Sequence, residues 1–104
     1  MISVSVEAQN SKINIKVQGH AEFAEAGQDI VCAGMSMLAY ALAEAARRET
    51  VLKVMHEQSG EMEITLLRCY QGRLLLGMFI AGAEMLAEQY PEHVAVNIPE
   101  GKII

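Results

Sequence analysis

"ISVSVEAQNSKINIKVQ", residues 2–18, carries the clearest structural pattern in the chain. Ile2, Val4 and Val6 alternate with Ser3, Ser5 and Glu7. Ile13, Ile15 and Val17 alternate with Asn14, Lys16 and Gln18. Period-two alternation places every second side chain on one face, so both segments read as strands with one buried side. "QNSK" between them is turn chemistry, and the pair reads as a hairpin. Residues 51–57 and 61–67 make a second hairpin around "QSGE". Val94, Val96 and Ile98 form a last strand.

Between the hairpins the period changes. Val31, Met35, Leu38, Leu42 and Ala45 recur at helical steps. Asp29 fits the N-cap position, and Arg47 and Arg48 fall in the last turn, where cations suit the helix dipole. A second helix runs from Arg73 through Leu75, Phe79, Gly82, Leu86 and Tyr90 to Pro91. Its first half is apolar nearly all round, which predicts burial in the centre or at a dimer contact. The order is ββαββαβ. Five strands, each with one apolar and one polar face, ask for helices on one side of the sheet only. The expected fold is therefore α+β, a two-layer sandwich with a five-stranded sheet and two helices on one face.

The chain has 104 residues, enough for a single domain spanning 1–104. Hydrophobic residues are 52% of it, and Trp is absent, so Leu, Ile, Val, Ala and seven Met must fill the core. Met35, Met37, Met78 and Met85 are read as core rather than as a binding groove. The formal net charge is −5, with no basic cluster longer than Arg47-Arg48, which argues against direct nucleic-acid binding. An acidic surface suits a basic partner, but a charge of this size is first of all ordinary solubility. The first ten residues lack a basic n-region and an apolar h-region. The longest uncharged runs fall short of the ~20 residues that span a membrane. These features predict a cytoplasmic protein without a membrane partner, in which Cys32 and Cys69 are thiols.

The chemistry concentrates in "GHAEFAEAGQDIVCAGMS", residues 19–36. With Asp29 as the cap, Cys32 lies in the first helical turn, where the dipole and unpaired N–H groups favour the thiolate. The Asp29 carboxylate opposes this unless its charge is spent on backbone N–H groups or on a histidine. His20 ends the second strand, twelve residues before Cys32, and the loop can return it to the helix start. Thiol and imidazole together suffice for nucleophilic acyl transfer, with first-turn N–H groups as an oxyanion hole. The alternative is plain packing, because a free cysteine is commonly inert filling. Gly27 is expected to supply positive φ before the cap. Gly34 inside a helix suggests close approach by another segment, with substrate as one candidate. Ser36 is one turn beyond Cys32 on the same face. Cys69 is assigned to core packing. His56 and His93 have no metal-like spacing, and there is no zinc, phosphate-loop or dinucleotide signature, so no metal or cofactor is expected.

"GHA" at 19–21 followed by "DIVCAGMS" at 29–36 resembles the Prp family of ribosomal-processing cysteine proteases, also known as the YsxB-like proteins. "LLGMFIAGAEMLAEQYPEHVAV" at 75–96 is similar to that family's C-terminal pattern. The resemblance implies a cysteine endopeptidase that trims the N-terminal extension of a ribosomal large-subunit precursor, protein twenty-seven. It implies a cut after paired aromatic residues, exposing a small residue, and a homodimer. Carried over by motif, His20 is the general base and Cys32 the nucleophile. Asp29 and Ser36 support them, and Gly19, Gly27, Ala33 and Gly34 border the substrate cleft with the 19–28 loop. Met35 stands where the family more often has Val or Ile. A non-catalytic module that binds the precursor is the alternative function, and a thiol redox sensor a third.

Overall fold

The computed structural model describes residues 1–25 and 27–98. The tail after Ile98 lies outside the described residues. The elements are β1 (Ile2–Gln9), β2 (Lys12–Gln18), α1 (Ile30–Arg48), β3 (Leu52–Gln58), β4 (Glu61–Leu67), α2 (Tyr70–Gln89) and β5 (Val94–Asn97). They form one five-stranded sheet in the order β3-β4-β2-β1-β5. All pairings are antiparallel except β1 with β5. The two-layer α+β reading holds, with the element order the alternation predicted.

Topology explains why both helices lie on one face. β2 and β3 run the same way, flanking β4, and α1 carries the chain between them. β4 and β5 run the opposite way, and α2 carries the chain across β2 and β1 toward the other edge. A crossover between parallel strands is right-handed. Reversing both the strand direction and the direction of travel returns the helix to the same side.

The core lies between sheet and helices. Val4, Ile13, Ile15, Ile64 and Leu66 from the strands meet Val31, Leu42, Leu76, Phe79 and Ala83 from the helices, all of them fully buried. Phe79 is the largest, and truncating such a side chain to Ala costs about 3–5 kcal/mol. Where the helices cross, a Cβ on Gly82 would come within 2.8 Å of the Leu38 methyls, so glycine lets α1 and α2 approach. By length and composition α1 could cross a membrane. Here its inward row, Val31, Met35, Ala39, Leu42, Ala43 and Ala46, is packed on the sheet.

Three expectations need correction. Strand β3 does not bury an apolar face: Val54 is 53% and Met55 38% exposed, and residues 53–58 are exposed throughout. It is the edge strand, with a register shift at Leu52/Val54, and two helices are too few to cover it. Of the four stripe methionines only Met35 is core, whereas Met37, Met78 and Met85 are exposed. Met37 sits two residues, about 200°, around the helix from Met35, so the two cannot share a face. Finally, α2 begins at Tyr70 rather than Arg73, its first turn closed by Arg73 N–H donating to Cys69 O at 2.9 Å. Its apolar first half is not central, since Tyr70, Leu74 and Met78 face outward.

Candidate active site

β2 ends at Gln18 and hands the chain to Gly19, whose φ of +90° belongs to the region that favours glycine. A side chain there would strike the Met1 carbonyl. Gly19 N–H donates to Gly60 O at 2.8 Å, which fastens the end of β2 to the β3–β4 turn. His20 follows, exposed, with its Nε2 3.1 Å from the point a Cβ on Gly60 would occupy. The β3–β4 turn therefore forms the floor under the imidazole. Gly60 itself has a φ of +73°.

The loop then returns to the helix layer. Ala21 is buried, and Glu22 turns the chain at a φ of +56°. Gln28 N–H donates to Glu25 O at 2.9 Å. Gly27 has a φ of +86° and open space where its side chain would be, so the requirement there is conformational, as expected.

Asp29 is the N-cap of α1. Its Oδ1 accepts from Cys32 N–H at 2.9 Å, and its Oδ2 accepts from Phe23 N–H at 3.0 Å. The first of these bonds is the main reason its carboxyl sits below the ordinary aspartate value. Burial opposes that shift, and the Phe23 bond adds to it. The charge is spent on backbone N–H groups, which is the condition for tolerating a carboxylate beside the thiol. Among the described residues Asp29 does not hydrogen-bond His20, so its role in this structure is capping and fastening the loop.

His20, Cys32 and Ser36 line one cleft of about 660 Å³. Asp29, Gly27 and Ala33 border it too, and Ile30 and Ala24 supply apolar wall. Glu22 and Gln28 lie at the same cleft and carry polar groups the sequence reading did not single out. Cys32 is half-buried, so its sulfur is supported by the core yet open to the cleft. No hydrogen bond joins His20 to Cys32 among the described residues. Catalytic contacts of this kind commonly tighten only with substrate in place.

Two of the proposed cleft glycines lie elsewhere. Gly19 supports the loop from behind, against Met1. Gly34 faces α2, where a Cβ would meet Leu86 at an ordinary 3.7 Å. It borders a separate apolar groove with Leu38, Gly82 and Met85. Nothing there comes close enough to require glycine, so the close approach suggested by Gly34 is not found. The oxyanion-hole expectation also narrows. Cys32 N–H is taken by Asp29 Oδ1, and Ala33 N–H donates to Asp29 O at 3.0 Å. These first-turn donors are engaged rather than free.

A cluster with no signature in the sequence lies beside the site. Phe23 packs edge-on against Tyr90 and His93, each at a ring-centroid distance of 5.3 Å. His93 Nδ1 lies 2.8 Å from Ala21 O. A histidine beside a strand start carries no local periodic signal, so only the tertiary structure reveals its partner. Among the described residues no three His, Cys, Asp or Glu side chains converge to hold a metal ion.

Comparison with known proteins bears on this site. The family model for cysteine protease Prp matches residues 1–95. The chain is similar to the ribosomal processing protease Prp from S. aureus solved with a covalently linked product peptide, at 24% identity and a TM-score of 0.84, covering 95% of this chain and 100% of that one. The same protease with a substrate peptide gives 23% identity and a TM-score of 0.75, with coverage of 95% and 100%. SMU.848 from Streptococcus mutans gives 31% identity and a TM-score of 0.74, over 94% of this chain and 93% of that one. The search of curated protein sequences gave no match. The fold is that of the solved Prp structures, and the chain belongs to the Prp family of cysteine proteases.

Proposed function

We propose that this protein is a ribosomal-processing endopeptidase that removes the N-terminal extension of a large-subunit protein precursor, protein twenty-seven, through a His20–Cys32 pair. The observation that carries the reading is the shared cleft, in which a strand-end imidazole and a first-turn thiol face one space. The peptide-bound Prp structures, of the same fold, support a peptide as the occupant.

The chemistry follows from these two groups. His20 takes the Cys32 proton, and the sulfur attacks the scissile carbonyl to form a C–S bond. The carbonyl electron pair moves to oxygen and returns as the C–N bond breaks. His20 gives its proton to the departing amine, leaving a thioester. A water, deprotonated by His20, then attacks the thioester carbonyl. The C–S bond breaks, the thiolate regains the proton, and the acid product leaves. Ile30, Ala24 and Ala33 give the cleft apolar wall, which suits apolar residues at the cut. The net charge of −5 favours encounter with a basic ribosomal protein.

The test is incubation of a peptide carrying the extension with wild type, Cys32→Ala and His20→Ala, read by mass spectrometry. Wild type is expected to cut at one bond and both variants to leave the peptide whole. Cleavage by Cys32→Ala at the wild-type rate overturns the reading. Binding of the extended precursor by wild type with no product would instead make the protein a precursor-holding module.

The same reading carries a homodimer and a cytoplasmic site of action. Exposed Tyr70, Leu74 and Met78 border an apolar surface on α2 that suits pairing with a second copy, and sedimentation equilibrium tests it. Two free thiols accord with a reducing compartment.

A further inference from the structure

We propose that His93 is a positioning residue for the His20–Cys32 pair, acting through the 21–29 loop. The inference rests on the reading of those two residues as a catalytic pair. His93 lies in the turn between α2 and β5, half-buried, far from either residue in sequence. Its Nδ1 is 2.8 Å from the carbonyl oxygen of Ala21, the residue that follows His20. A carbonyl oxygen only accepts, so Nδ1 carries the proton and the tautomer is fixed. The backbone of the turn is itself tied to the sheet, since Ile2 N–H donates to His93 O at 2.9 Å.

From there a continuous set of contacts reaches the thiol. The His93 ring meets Phe23 nearly perpendicular, at 86°. Phe23 N–H donates to Asp29 Oδ2, and Asp29 Oδ1 accepts from Cys32 N–H. His93 therefore holds the loop at the base of the imidazole, and through Phe23 it holds the residue that caps the thiol's helix. Gly60 fixes the other side of His20. Without His93, the Ala21 carbonyl loses its donor, and the loop between the two reacting groups loses its anchor on the sheet.

The experiment measures alkylation of Cys32 by iodoacetamide across pH on the full chain, with His20→Ala, His93→Leu and His93→Asn. Asp29, Glu22 and His20 are the titratable groups that share the cleft with the thiol, and all three remain in both His93 variants. His93→Leu is expected to slow the neutral-pH rate about tenfold, short of the hundredfold a misplacement near 1 Å can cost. Its profile should move toward that of His20→Ala. His93→Asn keeps a donor near the Nδ1 position but gives up the ring contact with Phe23, and should recover most of what His93→Leu loses. A folded His93→Leu with the wild-type profile, even at a lower melting temperature, overturns the proposal and leaves His93 a structural residue. Failure of His93→Asn to recover most of that loss overturns it as well. If His93→Leu does not fold, Phe23→Leu is read in its place, and an unchanged profile there overturns the proposal. If His20→Ala itself leaves the Cys32 profile unchanged, there is no pair to position, and the proposed function fails with the inference.

Discussion

Both helices begin at a turn that carries a cysteine, and the two turns are built differently. At α1 the cap is the Asp29 carboxylate, the cysteine is the third helical residue, and a loop leaves a cleft beside it. At α2 the cysteine itself occupies the cap position, with extended backbone and no side-chain cap bond. Gly72 there is pressed so close to the Leu67 carbonyl that a Cβ would collide, and that Cβ position lies 3.8 Å from Cys69 Sγ. One start spends its residues on access and the other on packing. A helix N-terminus offers both thiols a favourable field, so the catalytic role proposed for Cys32 alone rests on what else is placed there.

The largest effect separates the two cysteines by activity. Cys32→Ala should lower peptide cleavage by roughly a thousandfold or more, the scale on which loss of a nucleophile is felt. Cys69→Ala should leave it within about twofold, a fraction of a tenfold step. Steady-state cleavage of the extended peptide checks both. Comparable losses from the two variants would break the contrast.

Gly72 tests the packed start. Gly72→Ala drives a Cβ into the Leu67 carbonyl, where neither backbone can yield cheaply. Overpacking of this sort costs roughly 1–3 kcal/mol, occasionally more. Urea unfolding should show a lower midpoint at an unchanged slope. An unchanged midpoint would mean that α2 does not begin as tightly as described.

Asp29 tests the open start through pH. Its carboxyl lies below the ordinary aspartate value in the folded chain. The stabilisation it gives is therefore complete above the unfolded value and is lost as pH falls through the folded one. The melting temperature of Asp29→Ala should trail wild type at neutral pH, and the gap should close on acidification. Glu44, held at about 2 by hydrogen bonds from Arg47 and Arg48, stays charged through most of that range and is common to both proteins. A gap that persists at acid pH would mean the side chain acts by its bulk and not by its charge.

How far the sequence could be read depended on how local the signal was. β1, β2 and β4 were legible because each has one face against the helices and one against water, and alternation reports that directly. β3 alternates only at Leu52 and Val54 before the polar run His56-Glu57-Gln58, and its place as the uncovered edge depends on strand order and not on pattern. The Asp29 cap and the Gly27 turn were legible because both are backbone requirements met by one residue type. The cap and the oxyanion hole compete for the same first-turn donors, and which of them holds Cys32 N–H is decided by the folded geometry, where Asp29 Oδ1 takes it. Tyr90, His93 and Phe23 could not be linked beforehand, because their meeting depends on how α2 and β5 set the loop.

Gly34, inside α1, gives the smallest effect. It is the fifth helical residue, and a Cβ there meets only Leu86 at ordinary contact distance. Helix propensity then dominates, so Gly34→Ala should stabilise the protein by up to about 1 kcal/mol. At Gly72 the same substitution changes sign, because the neighbour is a backbone carbonyl instead of the end of a leucine. Chemical denaturation of the two variants side by side reads this opposition directly. If Gly34→Ala raises stability but lowers peptide cleavage, substrate reaches across the first turn of α1 into the groove beside Leu38 and Leu86. The cleft would then extend past Ala33, and glycine at 34 would be kept for the substrate's approach at the expense of the helix.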